Sequence, residues 1–329
     1  MDKAIVVTSI HSPRKEIKAL AKIPDWKLVG VGDANTPRDW FLPQVDYLSV
    51  KRQSRLFPEF SHMVPLNTYA RKNLGFLYAM KNGAMIIAET DDDVFPDDNY
   101  PPDLAKERMV PILSGDKFIN IFRFFDAKTQ SWPRGLPLTY IKNHQRIRAK
   151  KGQVKSLMLN SLVDGDGDFD AVYRLLFNAW VSFKKRGEYA LAKGCYCPMN
   201  SQNTFTHREA FVLLYLPSFV NPHVEDIWRG YIAQRILWEM GARVVFTHPT
   251  AFTTERNMHD LMEDFENELP LFLQTNRLIK VLDTLSLSKD PFVSLVTVYR
   301  ALIKVGVFPK AELQIVQLWA RLVEKLVVT

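Results

Sequence analysis

The chain has 329 residues, 47% of them hydrophobic and 24% charged, and a formal net charge of +7. This composition is typical of a globular protein, and no segment approaches the roughly 20 uninterrupted apolar residues that span a bilayer. Lysines and arginines are spread along the sequence, so we expect no nucleic-acid partner. The closely spaced Cys195 and Cys197 lack a second pair, which favours a structural role in a reducing cytoplasm.

The first hundred residues alternate strand-like and helix-like segments, the pattern of a parallel α/β sheet. Buried-strand patterns are KAIVVTSI, WKLVGVGD and MIIAE, with VDYLSV as a shorter candidate. RKEIKALAKI and TYARKNLGFLYAMKNGA have apolar residues at helical spacing, and the second ends at Asn82-Gly83, a good C-terminal cap. MIIAE runs into an aspartate triplet, which is therefore predicted at the carboxyl end of a strand, where open α/β sheets bind ligands.

The middle of the chain, from about residue 99 to residue 206, is richer in Pro, Gly and Asn and has weaker patterns. We predict a strand for FINIFRFFD and a helix for DAVYRLLFNAWVSF. A helix over EDIWRGYIAQRILWEMG closes with Gly241, the strand RVVFTHP follows, and nearly everything from about residue 258 onward is predicted to be helical. No glycine-rich dinucleotide or P-loop motif follows a strand.

The aspartate triplet is the first candidate site for chemistry. On a tight turn after a strand, Asp91 and Asp93 can converge on Mg²⁺ or Mn²⁺, which completes its shell with water and phosphate oxygens. Such a metal would neutralise a diphosphate leaving group. A solvated acidic turn is the alternative, because the spacing alone is a weak signal. A later histidine often joins such a site, and His223, His248 and His259 are available, although histidines are more often structural.

Two further groups of polar residues precede the triplet. Asp33 ends the second predicted strand, where an acid can bind a ribose hydroxyl or a base edge, or can form an Asx turn. Arg71, Lys72 and Asn73 open the following helix. Two cations in a first turn oppose the helix dipole unless they meet an anion such as a phosphate, and a solvated basic face is the alternative.

Acidic residues recur in the second half of the chain. The stretch DGDGDFD lacks the glycine and glutamate that an EF-hand needs at its sixth and twelfth positions. A capped entry into the following helix is favoured there, with Asp168 and Asp170 as candidates to face a substrate. Glu225 and Asp226 stand in a first helical turn, where the dipole favours carboxylates, but a carboxylate lining a cleft can equally take a proton from an attacking hydroxyl.

Several ordered segments resemble one known family. YARKNLGFLYAMKNGAMIIAETDDD resembles a segment of the STELLO-like glycosyltransferases, and WPRGLPL, DGDFDAVYRL, PMNSQNT and EDIWRGYIAQRILWE look like later signatures in the same order. The resemblance covers about residues 4 to 285. A more distant similarity is to the reversibly glycosylated polypeptides, the UDP-arabinopyranose mutases. The implied fold is a GT-A-like (Rossmann-like) nucleotide-sugar-binding mixed sheet flanked by helices over residues 1–257, with a helical C-terminal region over residues 258–329.

The resemblance also implies an activity, the metal-dependent transfer of a sugar from a nucleoside diphosphate sugar, with UDP expected, to a glycan or other hydroxyl acceptor. The implied cofactor is Mn²⁺ or Mg²⁺. Expected metal ligands are Asp91, Asp93 and His248. Expected donor contacts are Thr8, Ser9, Asp33, Arg71, Lys72, Asn73, Asp91 and Asp92. Expected acceptor or sugar contacts are Asp168, Asp170, Asn200, Gln202, Asn203 and Glu225. Asp226 is the expected base of an inverting reaction, and Arg71 is expected to stabilise the leaving diphosphate.

Alternatives to this activity stay open at the level of sequence. A mutase that interconverts ring forms of a nucleotide sugar needs no acceptor, and a non-catalytic organiser of a polysaccharide synthase needs no turnover. The C-terminal helices suit a homodimer contact, a peripheral membrane contact or packing onto the main domain. Plant STELLO proteins carry an N-terminal Golgi membrane anchor, whereas this sequence opens with its first predicted strand, so the resemblance gives no basis for carrying over their location or their association with cellulose synthase.

Overall fold

The computed structural model describes residues 1–125, 131–141, 146–177, 180–254 and 260–328. The strands in these ranges are β1 (Lys3–Thr8), β2 (Lys27–Val31), β3 (Asp46–Leu48), β4 (Ile86–Thr90), β5 (Val94–Pro96), β6 (Glu107–Ser114), β7 (Arg148–Asp164), β8 (Glu188–Leu191), β9 (Asn203–His207) and β10 (Ala242–Thr253). The α-helices are α1 (Lys15–Leu20), α2 (Val50–Leu56), α3 (Pro58–Met63), α4 (Lys72–Lys81), α5 (Ala171–Phe177), α6 (Pro222–Glu239), α7 (Leu261–Thr284), α8 (Pro291–Lys304) and α9 (Glu312–Val327).

The first four strands form a parallel sheet in the order β3, β2, β1, β4. Residues 4–7 of the central strand β1 are completely buried, because helices cover both faces of such a sheet. The chain passes from the β2 side of β1 to its β4 side, so β1 and β4 flank a topological switch point. Side chains that follow the carboxyl ends of these two strands therefore meet in the crevice where such sheets bind ligands.

The rest of the sheet is mixed. Strand β9 runs antiparallel to β4 and joins the parallel half to the long strand β7. Strand β7 also pairs with β6 and with β10, and β8 pairs with both β6 and β10, so these four strands close a ring of pairings. The structure confirms the predicted fold class, a mixed α/β sheet flanked by helices with further helices at the C-terminal side, consistent with a GT-A-like fold.

Helix α4 lies directly on the parallel sheet beneath the switch point. All its residues except the last are buried. A Cβ atom on Gly75 would lie 2.5 Å from side-chain atoms of both Val6 and Val31, so glycine permits this close approach. The helix ends at the predicted cap, where Gly83 has φ +84°. The close packing fixes the start of α4 relative to the carboxyl ends of β1 and β4.

The three C-terminal helices share the core of the sheet region. Trp319 of α9 is completely buried, and its Nε1 donates to the carbonyl oxygen of Val212 at 2.8 Å. The Arg208 guanidinium donates to the last carbonyl groups of α9, with 2.9 Å to that of Val327. Of the roles considered for these helices, packing onto the rest of the chain is the one observed. Within the described ranges, none of the helices has the length and apolarity needed to cross a membrane.

Two predicted elements differ from the structure. The predicted strand FINIFRFFD is wrong, because Ile121–Phe125 forms a 3-10 turn whose start is held by Asn120, which accepts from Phe122 N and donates to Ser131 O. The helix predicted for residues 170–183 is described as helical over Ala171–Phe177, whereas Val181 pairs with Gly165 in an isolated bridge. The predicted domain boundary after residue 257 lies outside the described residues.

Candidate functional site

A cavity of about 540 Å³ opens at the switch point. Its walls are the segments that follow β1, β2 and β4 and the segment that leads into α4. The lining residues are Thr8, Ser9, Ile10, His11, Val31, Asp33, Asn35, Asn67, Thr68, Tyr69, Arg71, Asp91, Asp92, Asp93 and Pro222. Six of the expected donor contacts are thus brought together in this lining, namely Thr8, Ser9, Asp33, Arg71, Asp91 and Asp92. We refer to this space as the larger cavity.

Hydrogen bonds join the strand ends around the larger cavity. The Ser9 hydroxyl donates to Asp92 Oδ2 at 2.5 Å, which ties the end of β1 to the segment after β4. Asp33 accepts from its neighbour Ala34 N at 2.7 Å and from Thr68 N at 3.2 Å. Asp33 therefore joins the end of β2 to the segment before α4, and its position in the lining leaves a contact with a donor open.

Lys72 and Tyr69 surround the first aspartate of the triplet. The fully buried Lys72 ammonium donates to Thr90 O at 2.8 Å, to Asp91 Oδ1 at 3.0 Å and to the Tyr69 hydroxyl. Tyr69 donates in turn to Asp91 Oδ1. Burial raises the pKa of Asp91, and the Lys72 charge opposes this rise. Since the three ammonium protons of Lys72 are used, this residue compensates Asp91 rather than pointing into the cavity.

The triplet provides two carboxylates to a candidate metal site, because Asp91 and Asp93 line the larger cavity and a second one beside it. No cluster of three or more His, Cys, Asp or Glu side chains suited to a metal is found in the described ranges. Two carboxylates completed by phosphate and water oxygens are a common set for Mg²⁺, so the donor chemistry fits the predicted cation. The protein ligands would be Asp91 and Asp93.

The candidate histidines have different positions. His248 lies outside the lining of both cavities as formed by the described residues, and its Nδ1 is 3.1 Å from Thr247 Oγ1 and 3.3 Å from Gly187 O. The structure thus gives the predicted ligand His248 a local role at the sheet. His223 lines the second cavity, with Nε2 3.8 Å from Asp264 Oδ1. His259 lies outside the described residues.

Arg71 and Asn73, both expected to contact the donor, have partners inside the protein. Arg71 is 1% exposed and donates to Ser61 O at 3.0 Å and Val64 O at 3.1 Å, the carbonyl groups at the end of α3. It forms part of the cavity wall, but its guanidinium is turned to the helix end. Both amide atoms of the fully buried Asn73 bond to the backbone of Leu216. Asn73 therefore joins α4 to that segment instead of facing a ligand.

A second cavity of about 310 Å³, the smaller cavity, adjoins the first. It is lined by Tyr69, Asp91, Asp93, Arg134, Asp168, Phe169, Arg174, Ser201, Gln202, Pro222, His223, Asp226, Asp264 and Glu268. Tyr69, Asp91, Asp93 and Pro222 line both cavities. The triplet therefore stands at the junction of two spaces, one built on the parallel strands and one built on α5, α6 and α7.

Arg134 organises the carboxylates of the smaller cavity. Its Nε donates to Asp168 Oδ1, and its Nη2 donates to both oxygens of Asp226 at 3.1 and 3.2 Å. Asp226 Oδ2 also accepts from Ser201 N at 3.1 Å. Burial works to raise the pKa of Asp226, but the charges of Arg134 and Arg229 outweigh it and hold this pKa below its usual range. Asp226 is thus an ionised and firmly held carboxylate.

The other acids of this region have different surroundings. Asp170 is completely buried, accepts from Trp132 Nε1 at 2.6 Å and from Tyr173 N at 2.8 Å, and caps α5, with burial raising its pKa to about 6. Glu225 is also fully buried, accepts from the Thr68 hydroxyl, and has a pKa raised well above its usual value by burial. Neither residue lines the smaller cavity, so the expected acceptor contacts of Asp170 and Glu225 are replaced by internal ones.

The segment PMNSQNT contributes two residues to the smaller cavity, Ser201 and Gln202. Gln202 lines it, and its Oε1 is buried with no hydrogen-bond partner in the described part of the chain. Asn200 accepts from Asn160 and from Gln202 N, and lines only a small neighbouring void. Asn203 is buried in β9 and donates to Leu162 O and Thr250 Oγ1. Gln202 is therefore the member of this trio that is placed to meet an acceptor.

Three residues that line the smaller cavity were not predicted as site residues from the sequence, namely Tyr69, Arg134 and Glu268. Tyr69 and Arg134 lie inside segments quoted for the family resemblance, so those segments were the available signal. Glu268 of α7 had no such signal, because a glutamate in a long polar-faced helix is ordinary. In the structure its Oε2 accepts from Ala171 N at 2.9 Å, and burial raises its pKa to about 8.

An α/β sheet with a crevice at its switch point, and with aspartates beside that crevice, is consistent with a GT-A-like fold. Residues 223–327 match the family model of the STELLO glycosyltransferases. Two Arabidopsis thaliana proteins are similar over 85% of this chain: the probable glycosyltransferase STELLO2, 32% identical over 304 residues, and the probable glycosyltransferase STELLO1, 31% identical over 302 residues.

These matches confirm the predicted resemblance, and the chain is STELLO-like. It spans 39% of the length of each of these curated relatives. The more distant similarity to the UDP-arabinopyranose mutases stays a prediction.

Proposed function

We propose that the chain is a metal-dependent glycosyltransferase that uses a nucleoside diphosphate sugar, with UDP as the expected nucleotide. The nucleotide occupies the larger cavity, and a glycan or other hydroxyl acceptor occupies the smaller one. The observation that carries this proposal is the sharing of Tyr69, Asp91 and Asp93 by both cavities. A diphosphate placed at that junction has its sugar directed toward the smaller cavity. The printed names of the relatives, probable glycosyltransferases, support the same class.

Charge at the junction supports the need for a cation. The three aspartates repel a diphosphate, Lys72 is already paired with Asp91, and Arg71 is bonded to backbone carbonyls. These fixed partners leave the cavity wall too acidic to bind a diphosphate through protein groups alone. When bound between Asp91 and Asp93, Mn²⁺ or Mg²⁺ would neutralise the charge that develops on the leaving diphosphate. The chain's own contribution is to hold both carboxylates at the end of β4.

The smaller cavity supports a hydroxyl acceptor. Its walls carry the side chain of Gln202 and the carboxylates of Asp168 and Asp226. Groups of this kind accept hydrogen bonds from sugar hydroxyls, and a carboxylate can take the proton of the attacking one. Hence the acceptor oxygen approaches the sugar from the side of α6 and α7.

A thermal-shift measurement with UDP and Mn²⁺ tests the proposal. At about 100 times the Kd, we expect UDP with Mn²⁺ to raise the Tm by about 5 °C. UDP without metal is expected to give a much smaller rise. Asp93→Asn should abolish the metal-dependent part. Asp98→Asn, at an exposed position beyond β5, is the matched control and should behave as the parent chain does.

Product analysis separates the proposal from its rivals. We expect release of UDP from at least one UDP-sugar, with Asp91→Asn and Asp93→Asn both abolishing it. Conversion of a UDP-sugar into an isomer without UDP release, followed by chromatography, would instead indicate a mutase. Absence of any shift with every nucleoside diphosphate, with or without metal, would contradict the proposal and favour a non-catalytic organiser.

A further inference from the structure

The two acids that face the smaller cavity are held differently. Both oxygens of Asp226 are occupied, Oδ1 by Ile227 N and Arg134 and Oδ2 by Ser201 and Arg134. Asp168 accepts from Arg134 through Oδ1, whereas its Oδ2 has no partner among the residues that the structure describes. The free oxygen makes Asp168, and not Asp226, the carboxylate that can accept a new hydrogen bond.

The positions of the two acids also favour Asp168 as the one that meets an acceptor. Asp168 lines the smaller cavity and the small void next to it, as does Gln202. The Asp226 side chain is 6% exposed, about half the exposure of Asp168 at 13%. Because Gln202 lines the same two spaces, an acceptor molecule in the smaller cavity meets both the Asp168 carboxylate and the Gln202 side chain.

Arg134 keeps Asp168 in place. Its guanidinium spans Asp168, Asp226 and the carbonyl oxygen of His223, and its backbone N–H donates to Asp168 O at 3.0 Å. The two carboxylates raise the pKa of Arg134 well above its usual value against the opposing effect of burial, so the cation persists. The arrangement is a row in which Asp226 anchors Arg134 and Arg134 orients Asp168.

From this row we infer that Asp168 is the proton acceptor for the attacking hydroxyl, and that Arg134 and Asp226 are positioning residues. The inference rests on the proposed function. In the step, the hydroxyl proton moves to Asp168 Oδ2, and the hydroxyl oxygen forms a bond to the anomeric carbon. The bond from that carbon to the diphosphate breaks, and its electron pair leaves with the diphosphate. This step inverts the configuration at the anomeric carbon.

The test measures UDP release from a UDP-sugar with water as the attacking group. Asp168→Asn should lower kcat by at least about 100-fold with little change in the KM for the donor, since a general base contributes that much. Asp226→Asn should lower kcat by only about tenfold, because Asp168 keeps its unpartnered oxygen. Sodium formate supplies a carboxylate to the space that Asp168→Ala vacates, so it should raise the kcat of this variant about tenfold. Formate should leave the kcat of Asp226→Ala unchanged.

Each outcome decides a separate question. If the parent chain releases no UDP from any donor, the proposed glycosyltransferase function fails. If the parent chain is active and Asp168→Asn keeps its kcat, or if Asp226→Asn is the more damaging change and Asp226→Ala is the one rescued by formate, the assignment of Asp168 is overturned. Folding of Asp168→Asn is checked separately, since its UDP-dependent Tm shift with Mn²⁺ should equal that of the parent chain.

Discussion

The two cavities of this protein are built in different ways. The larger cavity lies at the ends of parallel strands, where the geometry of the sheet brings most of the lining residues together. The smaller cavity is assembled from segments far apart in the chain, from residue 69 to residue 268, and charged hydrogen bonds of Arg134 hold some of them in place. The comparison teaches that one half of a site can follow from the fold, while the other half depends on particular ion pairs.

The largest expected effect is at the ion pair that joins β4, the strand before the aspartate triplet, to α6, the helix that carries Asp226. Glu89 of β4 and Arg229 of α6 are fully buried, with both of their facing N–O distances at 2.8 Å. Arg229→Met leaves a buried carboxylate unpaired and should lower the free energy of unfolding by about 3–5 kcal/mol, measured by urea denaturation. The double change with Glu89→Gln should cost less than Arg229→Met alone.

The matched control is an exposed pair, Lys106 and Glu209, whose closest atoms are 2.6 Å apart. Lys106→Met should change the free energy of unfolding by less than about 1 kcal/mol. If Lys106→Met lowers the free energy of unfolding as much as Arg229→Met does, burial of the Glu89–Arg229 pair does not explain the loss of stability.

The next effect is a pH dependence that belongs to the smaller cavity. The folded chain keeps the proton of Glu268 up to a pKa of about 8, whereas the unfolded chain loses it near the ordinary value of 4.5. The folded state therefore binds more protons between these values, and its stability falls as the pH rises through this window. Glu268→Gln removes this dependence while keeping an acceptor for Ala171 N.

The free energy of unfolding of Glu268→Gln, measured by urea denaturation, should therefore rise relative to that of the parent chain by about 1 kcal/mol for each pH unit between about 5 and 8. A constant difference between the two proteins across this range would show that Glu268 is ionised in the folded state.

The smallest of these effects tests a close approach between α6 and the segment before β9. A Cβ atom on Gly230 would lie 2.4 Å from Met199 O, so Gly230→Ala must push the helix away. We expect a loss of about 1–3 kcal/mol in the free energy of unfolding. Gly187→Ala is the control, because its Cβ would meet no atom closer than 3.6 Å, and it should be nearly neutral.

The sequence predicted the larger cavity better than the smaller one. Apolar runs ending in polar residues located Asp33 and the aspartate triplet at strand ends, since the ends of parallel strands share one edge. The sequence did not predict that Arg71 donates to the carbonyl groups at the end of α3, or that Asn73 bonds to the backbone of Leu216. Those outcomes depend on which backbone groups remain unpaired after packing, which no local pattern records.

The smaller cavity was predicted in pieces. The capping role of Asp170 followed from the local pattern before α5, and the family resemblance marked the segment that contains Arg134. The pairing of Arg134 with Asp168 and Asp226 could not be derived, because the three residues are separated by 34 and 92 positions. The error at FINIFRFFD has a similar origin, since Asn120 and tertiary packing of the aromatic rings outweigh strand propensity there.

The bond from Trp319 to the carbonyl group of Val212 has a consequence for synthesis on the ribosome. The two residues are 107 positions apart, so the turn after β9 is made long before the helix that covers it. At about 5–20 residues per second, this surface waits roughly 5 to 20 s for its partner. During this interval the nascent chain therefore exposes the surface around Val212 that α9 later covers.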